Sequence, residues 1–204
     1  MLSQPKEGRV SRVITETERF SAMVTKGPLS LGHLLIMPKK HYISMATMPE
    51  DYFPEFVELR RELGIRLTSA FHFPQTLLFE HGSSRDYLKG GCCISHAHMH
   101  IMPVHLPSTR VVRKIQEALE GNCDRSKTIE TYRELHDLAD EEDAYAFFEF
   151  DGMKYFSRIS RHMPSQFIRQ VIGKYVGREY TWDWRQNPRV EDVIETVQRL
   201  RNSD

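Results

Sequence analysis

The chain has 204 residues, 40% of them hydrophobic and 27% charged, which suits one soluble domain or one domain with an appendage. Equal numbers of basic and acidic residues, 28 of each, cancel, so no global positive field holds nucleic acid in bulk or an anionic membrane. The start lacks an apolar core of signal-peptide length, no run approaches the roughly 20 apolar residues that span a bilayer, and three cysteines are too few for a disulfide framework, all of which points to a cytoplasmic protein.

Residues 1–11 read as a loose leader, and "RVITETERFSAMVT" alternates enough for one or two strands. "KGPLSLG" is turn chemistry. "HLLIMP" is a short buried strand that stops at Pro38, and "KKHYISMATMP" is a loop. From Pro49 to about Phe71 the spacing of Phe53, Phe56, Val57, Leu59, Leu63 and Leu67 predicts a helix. "PQTLLFEHG" predicts a strand ending at Gly82, and "SSRDYLKGG" a polar loop. "CCISHAHMHIMPV" predicts a strand limited by Pro103.

Beyond Pro107, "VVRKIQEALEG" predicts a short helix capped by Gly121, and "SKTIETYRELHDLADEED" another helix. "AYAFFEFDGMKYFSRIS" sets Asp-Gly between two aromatic runs, a strong hairpin signal. "MPSQFIRQVIGKYVG" predicts a helix from about Ser165, "TWDWRQNP" a loop, and "RVEDVIETVQRL" a last amphipathic helix. Strands joined by tight turns and few helices imply an α+β class with an antiparallel sheet.

The stretch "HAHMHIM" places His96, His98 and His100 at alternate positions. On a helix, residues two apart point about 200° from each other, whereas on a strand they share a face. Ala97, Met99 and Ile101 then suit the opposite, core-facing side. Three uses compete for such a row. The rings could simply be satisfied structural histidines. Two of them could hold zinc with a ligand from elsewhere, such as His81, Cys92 or Cys93. All three cannot converge easily, because the outer Cα atoms lie about 13 Å apart. Or the row could span a phosphate chain, with the central ring as nucleophile and its neighbours orienting it and stabilising phosphoryl oxygens.

The residues carry a resemblance. "HAHMHIM" matches the pattern His-φ-His-φ-His-φ-φ, with φ apolar, and "GHLLIMPKKH" and "LLFEHG" precede it in order. Over roughly residues 10–106 the chain resembles the histidine triad nucleotide hydrolases and transferases. The resemblance implies a sheet of about five antiparallel strands with helices, often paired as a homodimer, acting on a small nucleotide without a metal or other cofactor. It divides the chain into a catalytic domain at 1–107 and an extension at 108–204 packed on it. It implies that His98 attacks the α-phosphate to form a nucleotidyl-histidine that water or another acceptor resolves. His96 would fix the proton on that ring, and His100 would contact phosphate. His41 would support the triad, His81 would contact ribose or phosphate, Cys93 would approach the leaving group, and Lys39 could meet phosphate. The transferase and phosphorylase branches carry glutamine at the third position, so histidine at 100 favours hydrolysis. Thr25 stands near the place of the ribose-gripping acid, and His81 stands in place of an asparagine. A nucleotide- or RNA-binding module without turnover is the competing class.

Several further residues have two readings each. Arg85 and Lys89 read as a mobile loop or a polyphosphate clamp. Trp182 and Trp184 read as core plugs or a surface for a base. Arg161, Ser165 and Gln166 sit at a helix start that can bind phosphate. His33 reads as out of phase with the triad and packed in its strand.

Overall fold

A computed structural model describes residues 11–85, 96–105 and 108–202; residues 1–10 of the leader, Lys89, Cys92 and Cys93 lie outside the described residues. Eight strands are described: β1 (Val13–Glu16), β2 (Phe20–Val24), β3 (Leu34–Pro38), β4 (Gln75–Gly82), β5 (Met99–Val104), β6 (Lys127–Ile129), β7 (Tyr145–Phe150) and β8 (Met153–Arg158). The helices are α1 (Phe53–Phe71), α2 (Ser108–Leu119), α3 (Arg133–Leu138), α4 (Phe167–Tyr175) and α5 (Val190–Arg201).

The strands form one antiparallel sheet in the order β1-β2-β3-β5-β4-β7-β8-β6. The class is α+β as expected, with eight strands instead of about five. The additional strands come from the second half of the chain: β7 pairs with β4 from Leu77↔Phe150 to Gly82↔Tyr145. The β7–β8 hairpin turns at Asp151 and Gly152, with φ of 51° and 75°, the two left-handed residues that this tight turn demands.

Side chains alternate between the two faces of the sheet. One face carries Ile36, Leu78, Met99, Ile101, Tyr145 and Phe147 against α1, α3 and α5. The other carries Leu77, Phe79, Met102, Phe148 and Phe150 against α2 and α4. Helix α1 buries Phe53, Phe56, Leu59, Leu63, Leu67 and Phe71 at helical spacing, and stops where His72 turns left-handed. Val57, counted in that stripe, is exposed because it falls one position off the buried face.

Three local expectations are corrected. The segment expected as one helix over 126–143 is strand β6 followed by the short α3, because Lys127–Ile129 finds a ladder partner in β8 that local pattern cannot reveal. Strand β5 begins at Met99, so His96 and His98 sit on its approach. Pro103 lies inside β5 instead of ending it. Among the described residues, no helix is long and apolar enough to cross a membrane.

Candidate functional site

The site lies on the α2/α4 face of the sheet, where β3, β4 and β5 meet. Leu35 pairs with His100, and Phe79 pairs with His100 from the other side. That register puts residues 35 and 37 of β3, 79 and 81 of β4, and 100 of β5 on one face, with His33 and His98 just before β3 and β5. Leu35, Met37, Phe79, His81, His98 and His100 accordingly line a single cavity of ≈ 220 Å³.

The tautomers follow from the hydrogen bonds. The Leu29 amide donates to His33 Nδ1 at 3.1 Å. An amide nitrogen can only donate, so His33 carries its proton on Nε2. His33 Nε2 lies 3.0 Å from His100 Nδ1 and donates to it. The His100 proton is therefore on Nε2. Burial, reinforced by Arg169 and, for His100, by the His33 and His98 imidazoles, holds both rings well below the usual histidine range, so both are neutral. Phe79 stacks on His100 with ring centroids 4.4 Å apart and planes 6° from parallel, which fixes the ring.

His98 has its own orienting bond. Its Nδ1 lies 2.7 Å from the His96 carbonyl oxygen. A carbonyl only accepts, so Nδ1 bears the proton and, in the neutral ring, Nε2 holds the lone pair. The His98 and His100 rings meet edge to face at 5.1 Å. The cavity thus presents a basic imidazole nitrogen beside an imidazole whose N–H is set by a relay from the backbone.

His81 is the anomaly. It is only 9% exposed, and neither ring nitrogen has a hydrogen-bond partner among the described residues. Burial first, then His98 and His162, lowers its pKa to about 4. A neutral ring with one donor and one acceptor therefore faces the cavity unsatisfied, a cost of about 1–3 kcal/mol per group that a polar ligand can remove.

The expected residues separate into two groups. His81, His98 and His100 line the cavity; His96, His41 and Lys39 do not. The His96 ring donates through Nε2 to the Pro38 carbonyl at 2.7 Å and meets the edge of His41 at 5.2 Å. It is the backbone of His96, not its ring, that orients His98. Lys39 is exposed, with Nζ 3.8 Å from Glu16 Oε1. Arg85 is paired with Glu141 instead of facing the cavity. Cys93 lies outside the described residues.

Residues 7–106 match the model of the HIT domain. The chain carries a HIT domain and belongs to the histidine triad superfamily. It is 27% identical over 188 residues to CWF19-like protein 1 of Mus musculus, a match covering 89% of this chain and 33% of that protein. It is 27% identical over 92 residues to a HIT-like protein of Saccharolobus solfataricus, covering 45% and 63%. The chain thus spans less than two thirds of the length of these relatives. Among solved structures, a histidine triad nucleotide-binding protein of Sulfolobus tokodaii superposes with a TM-score of 0.40 at 29% identity, over 47% of this chain and 62% of that one. Yeast Ap4A phosphorylase Apa2 in complex with AMP superposes with a TM-score of 0.49 at 12% identity, over 89% and 75%.

His33 and Arg169 are among the residues of the site that escaped the reading of the sequence. His33 of the HIT domain was expected to be out of phase with the triad. Alternation holds within a strand, but phase between strands depends on register, and the pairing Leu35↔His100 puts His33 on the triad's face. Arg169 of α4, 4% exposed, lines the cavity from outside the HIT domain. It carried no motif, and only the packing of α4 on the sheet brings it there.

Proposed function

We propose that the chain is a nucleotide hydrolase in which His98 Nε2 attacks the α-phosphorus of a nucleotide. The bond to the leaving group breaks, a covalent nucleotidyl-histidine forms, and water resolves it with release of the nucleoside monophosphate. The observation that carries this reading is the 2.7 Å bond from His98 Nδ1 to the His96 carbonyl, which sets the lone pair of the neutral ring on Nε2. His100 Nε2–H, set by the relay from Leu29 through His33, donates to a phosphoryl oxygen as negative charge grows there. His81 meets the substrate with its unsatisfied ring. Among the described residues, the cavity is lined by the cations Arg12, Lys26 and Arg169 and by no carboxylate, which suits an anionic ligand.

The test is a panel of nucleotides with different leaving groups, run on the wild type and on His98→Ala. The expected result is turnover by the wild type, an adduct mass of one nucleotidyl group trapped on His98, and loss of both in the variant with the fold retained. Unchanged turnover in His98→Ala would overturn the reading. Nucleotide binding with neither turnover nor adduct would replace it with the accessory binding module.

A further inference from the structure

The cavity is only partly built by the HIT domain. Gln166, Ile168, Arg169 and Trp184 line it from the second half of the chain. Their placement is tightly specified. Helix α4 buries Ile168, Val171 and Ile172 against the sheet. The Arg169 guanidinium donates to the Gly27 carbonyl at 2.5 Å and to the Trp182 carbonyl at 3.2 Å, tying α4 to the turn after β2. The Gly27 amide donates to the Pro188 carbonyl at 2.9 Å. A Cβ on Gly27, whose φ is +56°, would lie 2.6 Å from the Cα of Trp184, so this loop rests directly on the turn's backbone. Gln166 holds the loop as well: its Nε2 donates to Asp183 Oδ1 at 2.9 Å, and its Oε1 accepts from the Trp184 amide at 3.3 Å.

The result is one cavity with apolar lining from both halves of the chain. Met23, Leu35 and Met37 come from β2 and β3, and Ile168 and Trp184 from the second half. A flat, half-buried indole sharing a cavity with thioether and aliphatic side chains suits a planar heteroaromatic ring. A base stacked on an aromatic side chain is held through its π-face. Arg169 shares the cavity with His100, is near enough to lower the pKa of that ring, and can offer an oxyanion a charge-assisted hydrogen bond.

We propose that this α4–Trp184 wall determines nucleotide selection: Trp184 and Ile168 hold the nucleobase against Met23, Leu35 and Met37, and Arg169 serves the phosphate beside His100. The placing of that phosphate rests on the function proposed above; the holding of the base does not. The wall makes the site selective for a phosphate that carries a nucleobase over a sugar phosphate alone.

The experiment measures binding of AMP and of ribose 5-phosphate to the full chain by calorimetry. It uses the wild type, Trp184→Ala, Trp184→Phe, Trp182→Phe, Arg169→Gln and His98→Ala, each checked for fold by circular dichroism. The wild type is expected to prefer AMP. Trp184→Ala is expected to weaken AMP about tenfold or more while leaving ribose 5-phosphate unchanged, with Trp184→Phe close to the wild type. Arg169→Gln is expected to weaken both ligands alike. AMP is expected to quench the indole fluorescence of Trp182→Phe but not of Trp184→Phe. Equal wild-type affinity for the two ligands, or an unchanged AMP affinity in a folded Trp184→Ala, overturns the wall. The two proposals fail separately. Loss of turnover in His98→Ala with no effect at Trp184 sinks the wall alone. Absence of turnover in the wild type, with Trp184-dependent AMP binding, sinks the hydrolase alone.

Discussion

Two neighbouring residues on β4 meet opposite worlds. Glu80 points to the α1 face and is fully engaged: its Oε2 accepts from the Tyr145 hydroxyl at 2.5 Å and its Oε1 from the Met45 amide at 2.9 Å. Tyr145 in turn accepts from the Ala46 amide at 3.0 Å. His81 points to the α2/α4 face, with both ring nitrogens buried and without a hydrogen-bond partner among the described residues. One strand thus carries a closed polar network on one side and an open polar group on the other. A closed network specifies the fold, because each member would be orphaned by loss of another. An open group costs stability in the free protein and is retained where a ligand completes it. A second closed network stands on the α1 face at β7, where Glu149 is engaged by Arg60 and Tyr132.

The contrast can be broken in several ways, beginning with the largest effect. His98→Ala should lower nucleotide turnover by at least about a thousandfold while leaving thermal unfolding near the wild type, measured by steady-state kinetics and calorimetry. Glu80→Ala should do the reverse. It strands the Tyr145 hydroxyl and the Met45 amide and opens a cavity, so a loss of about 3 kcal/mol in denaturant unfolding is expected, with the active-site chemistry untouched in whatever fraction stays folded.

The pH dependence separates the two residues by sign. Burial raises the Glu80 carboxyl to about 7, above an ordinary value of 4.5. The folded state therefore keeps a proton that the unfolded chain releases, and stability falls as pH rises from about 4.5 to 7, by up to about 3 kcal/mol. Glu80→Gln should abolish that fall. His81 behaves oppositely. Its pKa is lowered from 6.5 to about 4, so the unfolded chain binds the extra proton, and stability is lost as pH falls through that window. His81→Leu should remove the acid-side loss. It should also raise stability at neutral pH by about 1–3 kcal/mol while weakening nucleotide binding, a stability–function trade visible by comparing melting temperature with Kd. If His81→Leu destabilises the chain and leaves binding intact, the ring is structural and the comparison drawn on β4 collapses.

The smallest effect belongs to the hairpin. Gly152 has φ of 75° and open space around its Cα, so Gly152→Ala should cost only about 1 kcal/mol through backbone strain, measured by chemical unfolding.

The legible parts of the molecule are those that depend on residues close in sequence. Alternation alone placed Ala97, Met99 and Ile101 on the core side and His96, His98 and His100 opposite; the structure buries the three apolar residues so and brings His98 and His100, but not His96, to the cavity. The spacing of Phe53 to Phe71 forecast α1, and Asp151-Gly152 forecast the β7–β8 turn. The segment 126–143 misled because a three-residue strand has no pattern of its own and exists only by virtue of β8.

By itself the sequence determined the class of fold, the common face of His98 and His100 and, through three motifs in order, the superfamily. Tertiary structure alone decided which other groups join them. His33 enters by the register of β3 on β5, and Arg169 and Trp184 by the packing of α4 and its following loop on the turn at Gly27. The physical reason is range. Periodicity reports which way a side chain points from its own backbone, whereas register and helix docking are set by contacts between residues from 67 to 142 positions apart, as in His33–His100 and Arg169–Gly27.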